Sequence, residues 1–510
     1  MIPVLAAEDV RRQDAECKAR GISTSFLMGN AGFAVATAAR SLLGGTYGRR
    51  VVVVCGKGNN AGDGLVAGRR LAAWGAKVSA VMLLGNELSG AAGQALAAFP
   101  GRVLGPEALD RELGRSDLAI DSLFGVGLSR APKGAVAVAI ERLSSGETPV
   151  LAVDVPSGVN ADTGAIVEGR AVRAGLTVTL GGLKPGLLFE PGRSAAGRVD
   201  VADIGVPEDL RTGTASALEA ADVRALLPRR QAASNKRRVG TVLVVVGSRG
   251  LPGAASLTAG ACVHGGAGLT VVAAPESVVS VIVGRVPEVT AIPLPETGDG
   301  TIDPKAIELI RPRLGEFHAV AIGPGLSTHP ATAELVRALV AELGLPMVLD
   351  ADALTAFTGA AELLAQAGAP KILTPHTREL SRLTGRSDDD IEADRLAATR
   401  AAAASMGTVV LLKGPGTVIA SPDGAAYLNP TGGPSLAQGG TGDVLTGLTA
   451  ALLAQDLAVG ERRGVLLVAA LAAWIHGRAG DLASQRYGPH PASASMLIEL
   501  LPEVLHEVAG

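Results

Sequence analysis

The chain has 510 residues, 67 of them glycine, with 47% hydrophobic, 2% aromatic and 19% charged residues and a net charge of −3. A disordered chain would be poorer in apolar residues and more strongly charged, so this composition belongs to a folded protein. The chain has neither the basic footprint nor the aromatic stacking platform of a nucleic-acid binder, and no nucleic-acid partner is expected.

At about 100–200 residues per domain, the length predicts two or three domains, each with a core of its own. The opening MIPVLAAEDVRR puts charge directly after a very short apolar run, the reverse of a signal peptide. The longest apolar stretch, near 465–475, reaches about half the length of a membrane span, so no membrane association is expected. Cys17, Cys55 and Cys262 are odd in number and far apart. They suit a reducing cytoplasm better than a disulfide framework or a zinc site.

Helices are predicted over 6–39, positioned to pack on a sheet or on a second subunit, and a homo-oligomer is expected. Strands follow near 51–55, 78–83, 117–122, 149–153, 176–180 and 199–202. Several are apolar almost throughout, as strands covered on both faces must be. The intervals suit βα units and hence a parallel, doubly wound sheet.

The segment VVVVCGKGNNAGDGLVAGRRL, residues 51–71, predicts a buried strand, a glycine-rich turn and a helix from about Gly64. Its glycine spacing is neither the dinucleotide fingerprint nor a Walker A loop. Asn59, Asn60 and Asp63 crowd into that turn, which is costly unless they bind something. Asp121 and Asp154 each close a later strand. At the carboxyl ends of neighbouring parallel strands, Asn60, Asp121 and Ser157 are candidates for a shared site. Oxygen donors alone would suit a hard cation; Asp121 as a simple turn former is the other reading.

The pattern breaks after Ile204-Gly205-Val206-Pro207, and a domain boundary is placed near residue 215, giving domains 1–215 and 216–510. A basic, polar stretch at 229–238 leads into a second βα series. Its strands are predicted near 241–246, 268–273, 289–294, 319–322, 347–349, 371–373, 409–412 and 418–420. The chain is thus read as two α/β domains in tandem.

The second series carries its own loops. GPGLS holds Gly323 and Gly325, which let backbone approach a ligand. Asp350 and Asp352 follow a strand and suit either a turn or a metal or substrate contact. His376 stands at a strand end, with Glu379 behind it. Lys413 and Thr417 flank KGPGT, where both reach for phosphate oxygens. LAQGGTGDVLTGLTAALLAQ, residues 436–455, joins a glycine turn to a long helix starting near Gly442, a start suited to a phosphoryl group. Asp443 at that opening either stabilises the helix or takes a proton from a substrate hydroxyl.

These motifs resemble a known family. MxNAG at 28–32, GKGNNAGDG at 56–64, DxLFGVGLSR at 121–130 and DVPSG at 154–158 are similar to the NAD(P)H-hydrate epimerases, nearly throughout residues 1–210. The resemblance implies a Rossmann-like fold and a K⁺ ion held by Asn60, Asp121 and Ser157. It implies contacts to the hydrated nucleotide from Asn59, Asn60, Ala61, Gly62 and Asp63, and from Asp154. Further contacts are implied for Gly125, Val126, Gly127, Leu128, Ser129, Arg130 and Ala131. This chain departs from the family at Gly29, where Glu is usual, and at Ala61, often Gly. Epimerisation at one ring carbon needs an acid or base beside it. Asp121 and Asp154 are the carboxylates at hand, with Asp154 assigned the role because a K⁺ ligand loses basicity.

GGTGD resembles the phosphate turn of ribokinase-like folds. With VVVGSRGLPGA, GPGLS, LDADAL, TPHTREL and KGPGT in order, residues 220–505 are similar to the ADP-dependent NAD(P)H-hydrate dehydratases. This implies that Lys413, Gly414, Pro415, Gly416, Thr417 and Gly442 hold ADP, with Mg²⁺. Ala261, Gly325, His376 and Asp443 would hold the hydrate, Asp443 acting as base. The whole chain is therefore expected to be a cytoplasmic bifunctional repair enzyme for hydrated NADH and NADPH; the alternative is a small-alcohol kinase fused to a nucleotide-binding module.

Overall fold

Four consecutive valines at 51–54 have no polar residue among them, and all four side chains are buried. A strand of this kind needs cover on both faces, which a parallel sheet with helices on either side supplies. In a computed structural model describing residues 1–128, 130–228, 236–460, 462–488, 490 and 492–510, the chain divides into two units, 2–216 and 217–510 with Met1.

After a short strand β1 (Ile2–Val4), the first unit forms β2 (Arg50–Cys55), β3 (Lys77–Met82), β4 (Arg102–Leu104), β5 (Leu118–Ser122), β6 (Val150–Val153), β7 (Leu176–Leu180) and β8 (Arg198–Ala202). The seven-stranded sheet runs β4-β3-β2-β5-β6-β7-β8. Every pairing within it is parallel. The order reverses between β2 and β5, and the crevice above that switch point is where such sheets receive ligands.

One local expectation is corrected. Asn59, Asn60, Ala61, Gly62 and Asp63 are not in a turn: they form the first turns of a helix, Asn59–Ala73, entered through Gly58. The glycines serve close packing instead. A β-carbon at Gly64 would lie 2.4 Å from Ser122 Oγ, and one at Gly62 would lie 2.5 Å from Met28 Cε. Ala61 therefore has helical backbone and its extra methyl brings no strain. Gly29 has nothing within 4 Å of a β-carbon, so space does not dictate glycine there.

Strand β9 (Ala215–Ala217) stands at the division between the units. The second unit then forms β10 (Thr241–Val245), β11 (Leu269–Pro275), β12 (Thr290–Leu294), β13 (Ala319–Ile322), β14 (Met347–Leu349), β15 (Lys371–Leu373), β16 (Val409–Leu412), β17 (Val418–Ala420) and β18 (Ala426–Leu428). Its strands are ordered β18-β17-β16-β15-β14-β13-β10-β11-β12. Pairing is parallel except for the antiparallel ladder β16-β17-β18. Both units are thus the α/β folds expected. Residues 229–235, most of the predicted basic stretch, lie outside the described residues.

Two helices, Thr441–Val459 and Val465–Tyr487, are long and apolar enough to cross a membrane. The second continues well past the apolar run seen in the sequence. In each, 72% of the most apolar window is buried inside the protein, so core packing accounts for the apolarity. The three cysteines are buried and free.

Candidate active sites

Above the switch point of the first unit lies a cavity of about 410 Å³. Helix Asn59–Ala73 gives it Asn59, Asn60 and Asp63, the loop after β5 gives Gly125, Val126 and Gly127, and β6 ends on it with Asp154. Asp154 is held in a left-handed backbone conformation, φ +68°, which an aspartate adopts only where its surroundings impose it. Its Oδ1 accepts from Lys184 Nζ at 2.5 Å and from the Leu180 N–H at 3.2 Å. Lys184 is 1% exposed, and its ammonium also donates to Leu180 O, Thr179 Oγ1 and Gly182 O. The lysine is therefore saturated and fixed, and it holds one oxygen of the Asp154 carboxylate in place. The other oxygen approaches Gly125, where a β-carbon would stand 3.0 Å from Asp154 Oδ2 and 3.4 Å from Asn60 Oδ1.

Asp121 lies deeper, fully buried and off the cavity wall. Ser157 donates to it twice, from N–H at 2.8 Å and from Oγ at 2.7 Å, and the Leu123 N–H adds a third bond at 3.2 Å. Burial still pushes its carboxyl up to about 6, because hydrogen bonds from Ser157 and Leu123 only partly offset desolvation. The Asn60 Nδ2 group is buried without a hydrogen-bond partner. Of the two candidate carboxylates, then, only Asp154 faces the space where a substrate fits.

In the second unit a cavity of about 340 Å³ is lined by Asp350, Ala351, His376, Lys413, Gly414, Gly440, Thr441, Gly442 and Asp443. Gly440, at φ +90°, turns the chain into helix Thr441–Val459 and leaves that helix start open to the cavity. Lys413 Nζ donates to Asp350 Oδ1 at 2.6 Å, and Thr446 Oγ1 donates to Asp350 Oδ2 at 2.7 Å. Burial works against the Lys413 ammonium, but Asp350 and Glu379 outweigh it and hold its pKa above the ordinary value. Burial, reinforced by Asp350 and opposed by Lys413, lifts the Asp443 carboxyl to about 7. Such a group is poised to exchange a proton near neutrality. His476 is held neutral, pushed down to about 4 by burial, with its Nε2 2.9 Å from Thr441 O beneath the helix start.

The predicted residues divide between those on the cavities and those around them. Ala61 and Gly62 are buried in their helix, while Leu128, Arg130 and Ala131 do not line the first cavity. Ser129 lies outside the described residues. In the second unit Pro415, Gly416, Thr417 and Gly325 do not line the cavity. Thr417 Oγ1 instead donates to Gly414 O at 3.0 Å, pinning the KGPGT loop. His376 lines the cavity but also caps helix Thr377–Thr384, its Nδ1 accepting from the Arg378 N–H at 3.1 Å.

Ala261 lies on helix Pro252–His264 and does not line the second cavity. It is fully buried and meets Gly447, where a β-carbon would come 2.8 Å from Ala261 Cβ and 2.2 Å from Thr258 O. Its small size lets the helices Pro252–His264 and Thr441–Val459 pack closely. Sequence reasoning missed Lys184. A single charge inside the otherwise uncharged TVTLGGLKPGLLF, residues 177–189, is the signal that could have found it.

Comparison with known proteins matches both units to families. Residues 24–186 match the YjeF-related protein N-terminus model and residues 242–503 match the NAD(P)H-hydrate dehydratase model. The bifunctional NAD(P)H-hydrate repair enzyme Nnr of Moorella thermoacetica is 40% identical over 501 residues, covering 96% of this chain and 93% of that protein. Its counterpart in Thermofilum pendens is 37% identical, covering 98% and 96%. A Bacillus subtilis ADP/ATP-dependent NAD(P)H-hydrate dehydratase structure aligns at 32% identity with a TM-score of 0.48, over 58% of this chain and 99% of that one. On the full-length identities and the two matched models, this chain belongs to the bifunctional NAD(P)H-hydrate repair enzyme family.

Proposed function

We propose that this protein restores NADH and NADPH from their hydrates in two steps. Residues 1–215 interconvert the R and S hydrates, and residues 216–510 dehydrate the S form at the expense of ADP, giving AMP and phosphate. One observation carries the reading: each unit presents a cavity walled by the loops that bear the family's motifs, with an ionisable carboxyl, Asp154 or Asp443, on its wall.

The second reaction follows from its site. Hydroxide is a poor leaving group near neutral pH, whereas a phosphate ester departs readily. Asp443 takes the proton of the ring hydroxyl, whose oxygen then attacks the terminal phosphoryl of ADP and releases AMP. The ring nitrogen's electron pair expels phosphate, and loss of a proton from the next carbon restores the double bond. Open N–H groups at Thr441–Val459 and the Lys413 ammonium stabilise the charge on the transferred group. Among the described residues no cluster of three or more His, Cys, Asp or Glu could hold a metal. Mg²⁺ is commonly held by one or two carboxylates together with substrate phosphates. Asp350 and Glu379 are the carboxylates near Lys413 that would complete its shell; the ion would offset phosphate charge.

The first unit fits K⁺ by the chemistry of its donors. Asp121 is a fully buried carboxylate with no cationic side chain paired to it among the described residues, Ser157 donates to it, and the Asn60 amide is buried with its Nδ2 unpartnered. Turning the Asn60 amide over would exchange its unpartnered Nδ2 for an oxygen. These three residues would hold the ion, which would compensate the buried charge. Epimerisation measured in K⁺ and then in Li⁺ checks this: the rate should fall several-fold in Li⁺, and D121N should lose the difference. Exposed Phe26 and Phe33 on helix Thr24–Leu42 support a subunit contact there, which solution mass measurement tests.

The functional reading itself is tested with a mixture of R and S hydrates and Mg-ADP. The unaltered chain should consume both isomers. D154N should stop once the S form and whatever converts spontaneously are gone.

A further inference from the structure

Asp63 is unlike the other polar groups of the first cavity. It is 7% exposed, it lines the cavity, and its carboxyl makes no hydrogen bond or ion pair among the described residues. It stands one helical turn after Asn60, so both project from the same face of helix Asn59–Ala73 toward the space that Asp154 borders. Asp154 is anchored by Lys184 and Asp121 by Ser157, whereas no described residue anchors the Asp63 carboxyl. A buried carboxyl without a partner is costly as an anion and keeps its proton.

We propose that Asp63 is a catalytic residue of the epimerase cavity, the proton donor that works opposite Asp154. This deepens the epimerase reading and rests on it. Water added across the enamine bond of a reduced nicotinamide places the hydroxyl on the carbon beside the ring nitrogen. That carbon can be inverted by opening the ring. Asp154 takes the hydroxyl proton, the C–O bond becomes a carbonyl, and the C–N bond breaks with its electron pair passing to nitrogen. Nitrogen takes the proton of Asp63. After rotation about the adjoining C–C bond, nitrogen attacks the other carbonyl face, returns its proton to Asp63, and the new hydroxyl recovers its proton from Asp154. Nothing is oxidised or consumed.

Burial, with Asp154 and Asp14 adding to it and Lys184 opposing, pushes Asp63 well above the ordinary carboxylate range. The charged groups on the cavity wall are Asp14 from helix Ala7–Ala19, Lys57 from the loop before Asn59, Asp154 and Lys184.

The test uses the full chain with R hydrate, K⁺ and no ADP, following appearance of the S form. Asparagine matches the neutral carboxyl in shape, so D63N should lower kcat by about 10²-fold or more with KM changed little. The unaltered enzyme should lose rate on the alkaline side as Asp63 ionises, and residual D63N activity should lack that limb. A D63N rate equal to wild type overturns the proposal, and so does a raised KM with kcat intact, which would make Asp63 a binding contact only. If D63N fails to fold, the wild-type profile decides: a rate level from neutral pH into the alkaline range overturns it. No isomer interconversion by the unaltered chain would overturn the epimerase reading itself and this assignment with it.

Discussion

Asp443 sits where one turn of helix, one lysine and two further carboxyls meet, and its chemistry follows from that crowding. Its carboxyl is raised from the ordinary 3.8 to about 7, and as a base it must be ionised. The dehydratase rate should therefore climb as pH rises through about 7, and D443N should lose about 10²–10⁴-fold above that pH. The same shift costs stability. Between 3.8 and about 7 the native state holds the proton more tightly than the unfolded chain, so Asp443's contribution is lost as pH rises through that window. D443N should consequently unfold at a higher temperature than the parent above neutral pH, while being nearly dead as a dehydratase. Much of this site is legible in the sequence because GGTGD, KGPGT and LDADAL each mark a strand or helix end. Lys184 is marked in the sequence only as a lone charge; that it pairs with Asp154, 30 residues away, only the fold shows. Asp63 was legible as a contact, but the absence of a hydrogen-bonding partner for it among the described residues is visible only in three dimensions.

Among the elements, the strands were readable wherever an apolar run exists. Ile2–Val4, Arg102–Leu104, Ala215–Ala217 and Ala426–Leu428 escaped because IPV, RVL, ASA and AYL carry no apolar run that marks a strand on its own. The helix beginning at Asn59 was misread because Ala61-Gly62 and Gly64 look like a loop; in the structure their smallness admits Met28 and Ser122. Small residues do the same between helices Pro252–His264 and Thr441–Val459. G447A would drive a methyl to 2.2 Å from Thr258 O and 2.8 Å from Ala261 Cβ. It should destabilise the second unit by about 1–3 kcal/mol in denaturant unfolding. A neutral result would mean that this contact does not set the helix spacing behind the phosphate turn.

At the scale of the molecule, tandem units make sense if one supplies the other. A dehydratase that accepts only one isomer leaves half of a mixed hydrate unrepaired, and an epimerase on the same chain removes that limit. The central claim is that dehydration is driven by phosphoryl transfer from a nucleotide. The most direct measurement incubates the full chain with mixed hydrates, K⁺ and Mg-ADP, and counts AMP formed against reduced nicotinamide recovered. One AMP for each NADH or NADPH, continuing until both isomers are gone, is the predicted result. Recovery of the coenzyme with no ADP consumed would contradict it.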